Sequence, residues 1–150
     1  MELRPELCPP AVSPERAAQL RSAVENITRL LAGGEPADGA ITAFNAGTGH
    51  SYRAEHFLTY EESRGLEDFV LEAARPARPV VADITRDELA EVVRRIIAAD
   101  HDSDYYVLLL TTNVRHPRVT DLIFWPPPEL VDATPEQIVD AAVSYRPIAL

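Results

Sequence analysis

Apolar residues recur at helical spacing in several stretches of this chain. Leu20, Val24, Ile27 and Leu31 fall three and four apart, on one helix face. Ser13-Pro14-Glu15-Arg16 precedes them, an N-cap followed by proline at the first helical position, and Gly33-Gly34 ends them. Asp38 opens a second candidate helix, with Ile41 and Phe44 inside and Gly47 and Gly49 as its stop. Ser63 is placed to cap a third, carrying Leu66, Phe69, Val70 and Ala73. Thr85-Arg86-Asp87-Glu88 is a capping box, and Leu89, Val92, Val93, Ile96 and Ile97 behind it form an amphipathic face. Thr134-Pro135-Glu136-Gln137 starts a last helix, whose apolar face is Ile138, Val139, Ala142 and Tyr145.

Other stretches are less clear. Residues 1–13 carry Pro5, Pro9 and Pro10 and read as an irregular lead-in. His50 to Tyr60 shows no clean period. "YYVLLLTTNV" is short and continuously apolar, so periodicity does not separate a buried helix from a strand. Two architectures follow. One is all-α: a four-helix domain over 80–150, preceded by a helical region over 1–79 of unknown role. The alternative is α+β, with "ITAF", "RPVVA", "YYVLLL" and "VTDLIFW" as strands, since β-branched and aromatic residues abound in them. Arg75-Pro76-Ala77-Arg78-Pro79 reads as the linker in either case.

Charge narrows the partners. The 150 residues hold 24 acids and 14 basic side chains, a formal balance of −10, and every basic residue is Arg. Residues 1–80 carry 12 acids against 8 Arg, and residues 81–150 carry 12 against 6. Such acidity argues against nucleic acid or an anionic membrane and is compatible with a basic protein partner. Cys8 is alone, so neither an internal disulfide nor a thiolate zinc site is expected. The opening Met-Glu-Leu-Arg-Pro lacks an apolar signal core, and no apolar run approaches membrane-spanning length. A cytoplasmic location is the expectation.

Catalytic constellations do not assemble. His50 and His56, near Glu55, Glu61 and Glu62, match no metal-ligand spacing. Ser51 and Ser63 lack a nucleophile elbow, and "GTG" at 47–49 lacks a phosphate loop's spacing and lysine. Asp87 and Glu88 sit in a first helical turn, where the helix dipole accounts for them. No catalytic residue, metal or cofactor is expected.

"RVTDLIFWPPPE", residues 118–129, is the stretch that carries information. Three prolines follow Phe124-Trp125 at once, so the element bearing the aromatics is short and stopped. Read with its surroundings, the order is a capped helix at "DITRDELAEVVRRI", the acidic "DHDSD", an apolar helix, His116-Pro117, Asp121-Leu122-Ile123-Phe124-Trp125-Pro126, and a Thr-Pro helix ending at Tyr145-Arg146. This order, over residues 83–150, resembles the colicin and pyocin immunity proteins, small acidic inhibitors of nuclease bacteriocins. The most specific signature is His-Pro-x-x-x-Asp-Leu-Ile-aromatic-aromatic-Pro. The family usually carries two tyrosines where this chain has Phe124 and Trp125.

The resemblance implies a toxin-neutralising protein whose partner is a basic nuclease domain. By position, Asp121, Phe124 and Trp125, with Thr120 beside them, become the anchor. Asp102, Asp104, Tyr105 and Leu108 become the side that selects the toxin. An acidic inhibitor would be steered to a phosphate-binding enzyme, and adjacent aromatics would supply rigid anchors. Buried aromatics are the default in a domain of this size, and the resemblance shifts the expectation toward exposure, Trp125 foremost. Two further readings stand beside it: an interaction module that keeps the fold without binding a toxin, and a hydrolase with its site in residues 38–75.

Overall fold

The computed structural model describes residues 1–62 and 64–145. Its α-helices, in chain order, are α1 (Pro14–Ala32), α2 (Asp38–Thr48), α3 (Ala54–Thr59), α4 (Leu66–Ala74), α5 (Arg86–Ile97), α6 (Ser103–Asn113), α7 (Val119–Phe124) and α8 (Pro135–Val143). No strand occurs among the described residues, so the chain is all-α and the α+β reading is overturned. "ITAF" lies inside α2, "YYVLLL" inside α6, and "VTDLIF" is α7. The undecided run in α6 is helical because its buried residues, Tyr105, Tyr106, Leu109 and Leu110, form a stripe at helical spacing. Burial on one face outweighs the β propensity of the individual residues.

The chain divides into two compact units. One contains Pro10–Ala77. The other is discontinuous and joins Met1–Pro9 to the chain from Arg78 onward.

In the Pro10–Ala77 unit, α1 packs against α2, α3 and α4. Leu20, Val24, Ile27, Phe44, Phe57 and Phe69 build its core. Ser13 caps α1 by accepting from the Arg16 N–H at 3.1 Å. Asp38 is the first residue of α2, whose N-cap is Ala37, and the helix runs through Gly47 to stop at Gly49. Gly49 has φ 77°, a conformation that suits glycine at a helix end. The unclear stretch after it holds α3, pinned by Phe57. The expected Ser63 cap falls outside the described residues, and α4 takes Gly65 as its N-cap.

In the other unit, α5 packs on α6 and α8, while α7 contacts both α6 and α8. Its core contains Leu89, Val92, Val93, Leu109, Leu110, Val119, Ile138 and Val139. Both expected capping boxes form. Thr85 Oγ1 accepts from the Glu88 N–H at 3.1 Å and Glu88 Oε1 from the Thr85 N–H at 2.9 Å. Thr134 and Gln137 repeat the exchange at 3.2 and 2.8 Å. α8 ends at Val143, so Tyr145 lies beyond the helix it was assigned to.

The opening residues belong to this same unit, which a single cut at 79/80 does not describe. Leu3 and Leu7 are 5% and 0% exposed, within the same core as Leu89 and Leu110. They lie four apart on either side of Pro5, and the 3-10 turn Pro5–Leu7 lets both point inward. Arg4 fastens the strap by donating to Glu88 Oε2 at 2.7 Å and to Asp83 Oδ1 at 2.9 Å.

Candidate partner-binding face

α7 divides its residues by helical angle. Val119 is buried, and Leu122 and Ile123 pack on the core at i+3 and i+4. Thr120, Asp121 and Phe124 fall on the opposite side, and Trp125 follows as the C-cap residue. Pro126 cannot extend the helix, because it has no N–H to donate. The Trp125 N–H closes the last turn on the Asp121 carbonyl at 2.8 Å. Phe124 is 53% exposed and Trp125 is 80% exposed. The three other phenylalanines, Phe44, Phe57 and Phe69, are all buried. Thr120 and Asp121 are half-buried.

The turn into α7 is held locally. His116 Nδ1 accepts from the Arg118 N–H at 3.0 Å, and the His116 ring stands 4.8 Å from that of Tyr145. Arg118 then donates from Nε to Asp121 Oδ2 at 2.9 Å. Arg146, expected at the end of the last helix, lies outside the described residues.

The other expected residues separate. On α6, Asp104 is exposed and Leu108 half-buried four residues on, so they share an outward stripe. Tyr105 is 6% exposed and makes an edge contact with Tyr106 at 6.4 Å. One residue of helical rotation turns it into the unit, away from the stripe that carries Asp104 and Leu108. Asp102 is the N-cap of α6. Its carboxylate lies 3.2 Å from His101 Nε2, and that of Asp100 lies 3.5 Å from His101 Nδ1. The ligand-type atoms of these three residues lie within 4.8 Å of one another, close enough to share a cation. They stand at the positive end of α6, however, where the helix dipole opposes a cation and favours carboxylates.

Elsewhere in this unit arginines meet acids away from α7. Arg86 grips Asp140 at 2.6 Å, and Arg94 reaches Glu136 at 2.6 Å, tying α5 to α8. Glu91 is buried, at 7% exposure. Burial works against its charge, yet hydrogen bonds from Arg95 and Arg94 outweigh it and hold the carboxyl below its ordinary value. Arg95 also donates to the Tyr106 hydroxyl at 2.9 Å, joining α5 to α6. The α6 start is different. Among the described residues, Asp104 makes no ion pair, and the carboxylates of Asp100 and Asp102 meet the His101 ring.

The histidines of the Pro10–Ala77 unit do structural jobs. His50 Nε2 sits 2.7 Å from the Arg75 carbonyl, and His56 Nδ1 accepts from the Arg53 N–H at 2.8 Å. An open groove between α1 and α2 is lined by Leu20, Ala23, Ile27 and Phe44, with Arg16 at one end. Arg16 is spent on the Gly47 carbonyl, which it meets at 2.6 Å. No helix among the described residues is long and apolar enough to cross a membrane.

Neither the curated proteins nor the solved structures contain a match to the chain. A family does match: residues 81–147, which contain α5, α6, α7 and α8, fit the model of the colicin immunity protein / pyocin immunity protein family.

Proposed function

We propose that this chain is a bacteriocin immunity protein that binds and neutralises a basic nuclease toxin in the cytoplasm, without chemistry of its own. The observation that carries the reading is the exposure of Phe124 and Trp125 in the family-matched segment. Exposed aromatic pairs are costly to keep in water, while aromatics are enriched at the centres of protein interfaces. Here both stand on a short helix whose inward face is fixed by Val119, Leu122 and Ile123. The backbone therefore presents them without further ordering, which reduces the entropy lost on association.

Thr120 and Asp121 complete the anchor. Asp104 and Leu108 on α6, with Asp102 at its start, form the side that discriminates among toxins. The acids around the α6 start attract a basic enzyme and repel nucleic acid from the same surface. Recognition thus rests on two neighbouring helices, α6 and α7, packed on each other.

The test is inhibition. The purified full-length chain is titrated into cytotoxic domains of nuclease bacteriocins, including any encoded in the same genome, while nucleic acid cleavage is followed. Loss of cleavage at one-to-one stoichiometry supports the proposal. Full cleavage by every domain, with no complex on gel filtration, leaves only an interaction module with some other partner.

A further inference from the structure

Arg118 is out of place for helix stability. It is the N-cap residue of α7 and makes no side-chain cap bond. A cation at that end opposes the helix dipole. Its guanidinium instead lies on Asp121, three residues on, with side-chain exposures of 78% and 38%. An ion pair so open to water contributes little to stability. The residue is nonetheless well placed, because the Arg118 N–H is fixed on His116 Nδ1. Arg115, on the same turn, is exposed as well.

We propose that Arg118 is a specificity-determining residue that masks the Asp121 carboxylate from a partner. This rests on the toxin-binding reading and adds to it. A basic partner approaching Phe124 and Trp125 meets a neutralised acid and an exposed cation, and it must displace the guanidinium to reach Asp121. Charge on the face is therefore graded. Acids gather at the start of α6, and arginines gather just past its end, roughly 16 Å away for an 11-residue helix. Partners whose basic groups face the α6 start are favoured over partners basic throughout.

The experiment compares wild type with Arg118→Ala and Arg118→Lys, all as full chains with helical content checked by circular dichroism. Association with the same panel of nuclease domains is followed by stopped flow at low and near-physiological salt. Removing the mask should speed association by about two- to five-fold at low salt, with the gap closing as salt rises. Arg118→Lys should stay close to wild type. Equal or slower association by Arg118→Ala, with wild type still binding, overturns the masking role and leaves the toxin-binding reading intact. A wild-type chain that binds no domain of the panel overturns both.

Discussion

Asp121 and Trp125 are joined through the backbone: the Trp125 N–H donates to the Asp121 carbonyl at 2.8 Å. The acid and the indole of the proposed anchor thus share one turn, and the side-chain carboxylate plays no part in closing it. Asp121→Asn keeps the carbonyl and removes the charge. Its unfolding free energy should stay within about 0.5 kcal/mol of wild type, as for other surface changes. Association with a basic nuclease domain should slow, and should depend less steeply on salt. Equal salt slopes for the two proteins would remove Asp121 from electrostatic steering.

The strap makes a prediction about the shortest fragment that folds. Leu7 is fully buried, so Leu7→Ala should destabilise the α5–α8 unit by about 2–5 kcal/mol, the usual range for a buried leucine. A fragment spanning only the family-matched residues 81–147 lacks Leu3, Arg4 and Leu7. It should melt lower and less cooperatively than the whole chain. Urea titrations of the Leu7 variant and the fragment decide this, and wild-type stability in both would make the strap ornamental.

Much of the fold was readable because its signals are local. Ser13, Thr85 and Thr134 each announce a helix through a hydroxyl, a proline or an acid within three residues, and all three caps form. The strap was not readable, because two leucines in a proline-rich lead-in look the same whether they cross to a distant core or not. α6 was ambiguous because Val107 and Leu108 between its buried pairs are also apolar and half covered, which hides the helical stripe. Of the candidate site, the order of motifs singles out Phe124 and Trp125. Only the structure shows that α7 turns them outward, that α6 turns Tyr105 inward, and that Arg118 donates to Asp121.

Acid should weaken the strap. The hydrogen bond from Arg4 holds the Asp83 and Glu88 carboxyls below their ordinary values, and Arg86 does the same to Asp140. A depressed folded-state value means that the stabilisation is complete above the unfolded carboxylate range and is lost as pH falls through the folded value. Thermal midpoints should therefore be level from neutrality to about pH 5 and fall below about pH 4. Arg4→Met should lower the neutral midpoint and flatten that acid limb. An acid limb as steep as wild type would show that the strap's ion pairs do not set it.

Ala99 offers a gain. It follows Ala98, the C-cap of α5, with φ 55°, and the Asp100 N–H reaches back to the Arg95 carbonyl at 3.1 Å. Helices usually place glycine in that left-handed position, because a Cβ there is strained by about 1–2 kcal/mol. Glycine's greater unfolded-state entropy offsets part of the relief. Ala99→Gly should therefore stabilise the protein by about 0.5–1 kcal/mol, read as a raised denaturant midpoint at unchanged slope. A lowered midpoint would mean that the methyl group packs more usefully than its backbone suggests.

Trp125→Ala tests the central claim most directly, through the dissociation constant for a cognate nuclease domain and the denaturation midpoint of the same variant. Trp125 is 80% exposed, so its removal should leave the midpoint nearly unchanged. As an interface anchor, its loss should weaken binding by about 2 kcal/mol or more. A stability loss of about 3–5 kcal/mol, the cost of deleting a core aromatic, with undiminished affinity of the folded fraction, would contradict the account.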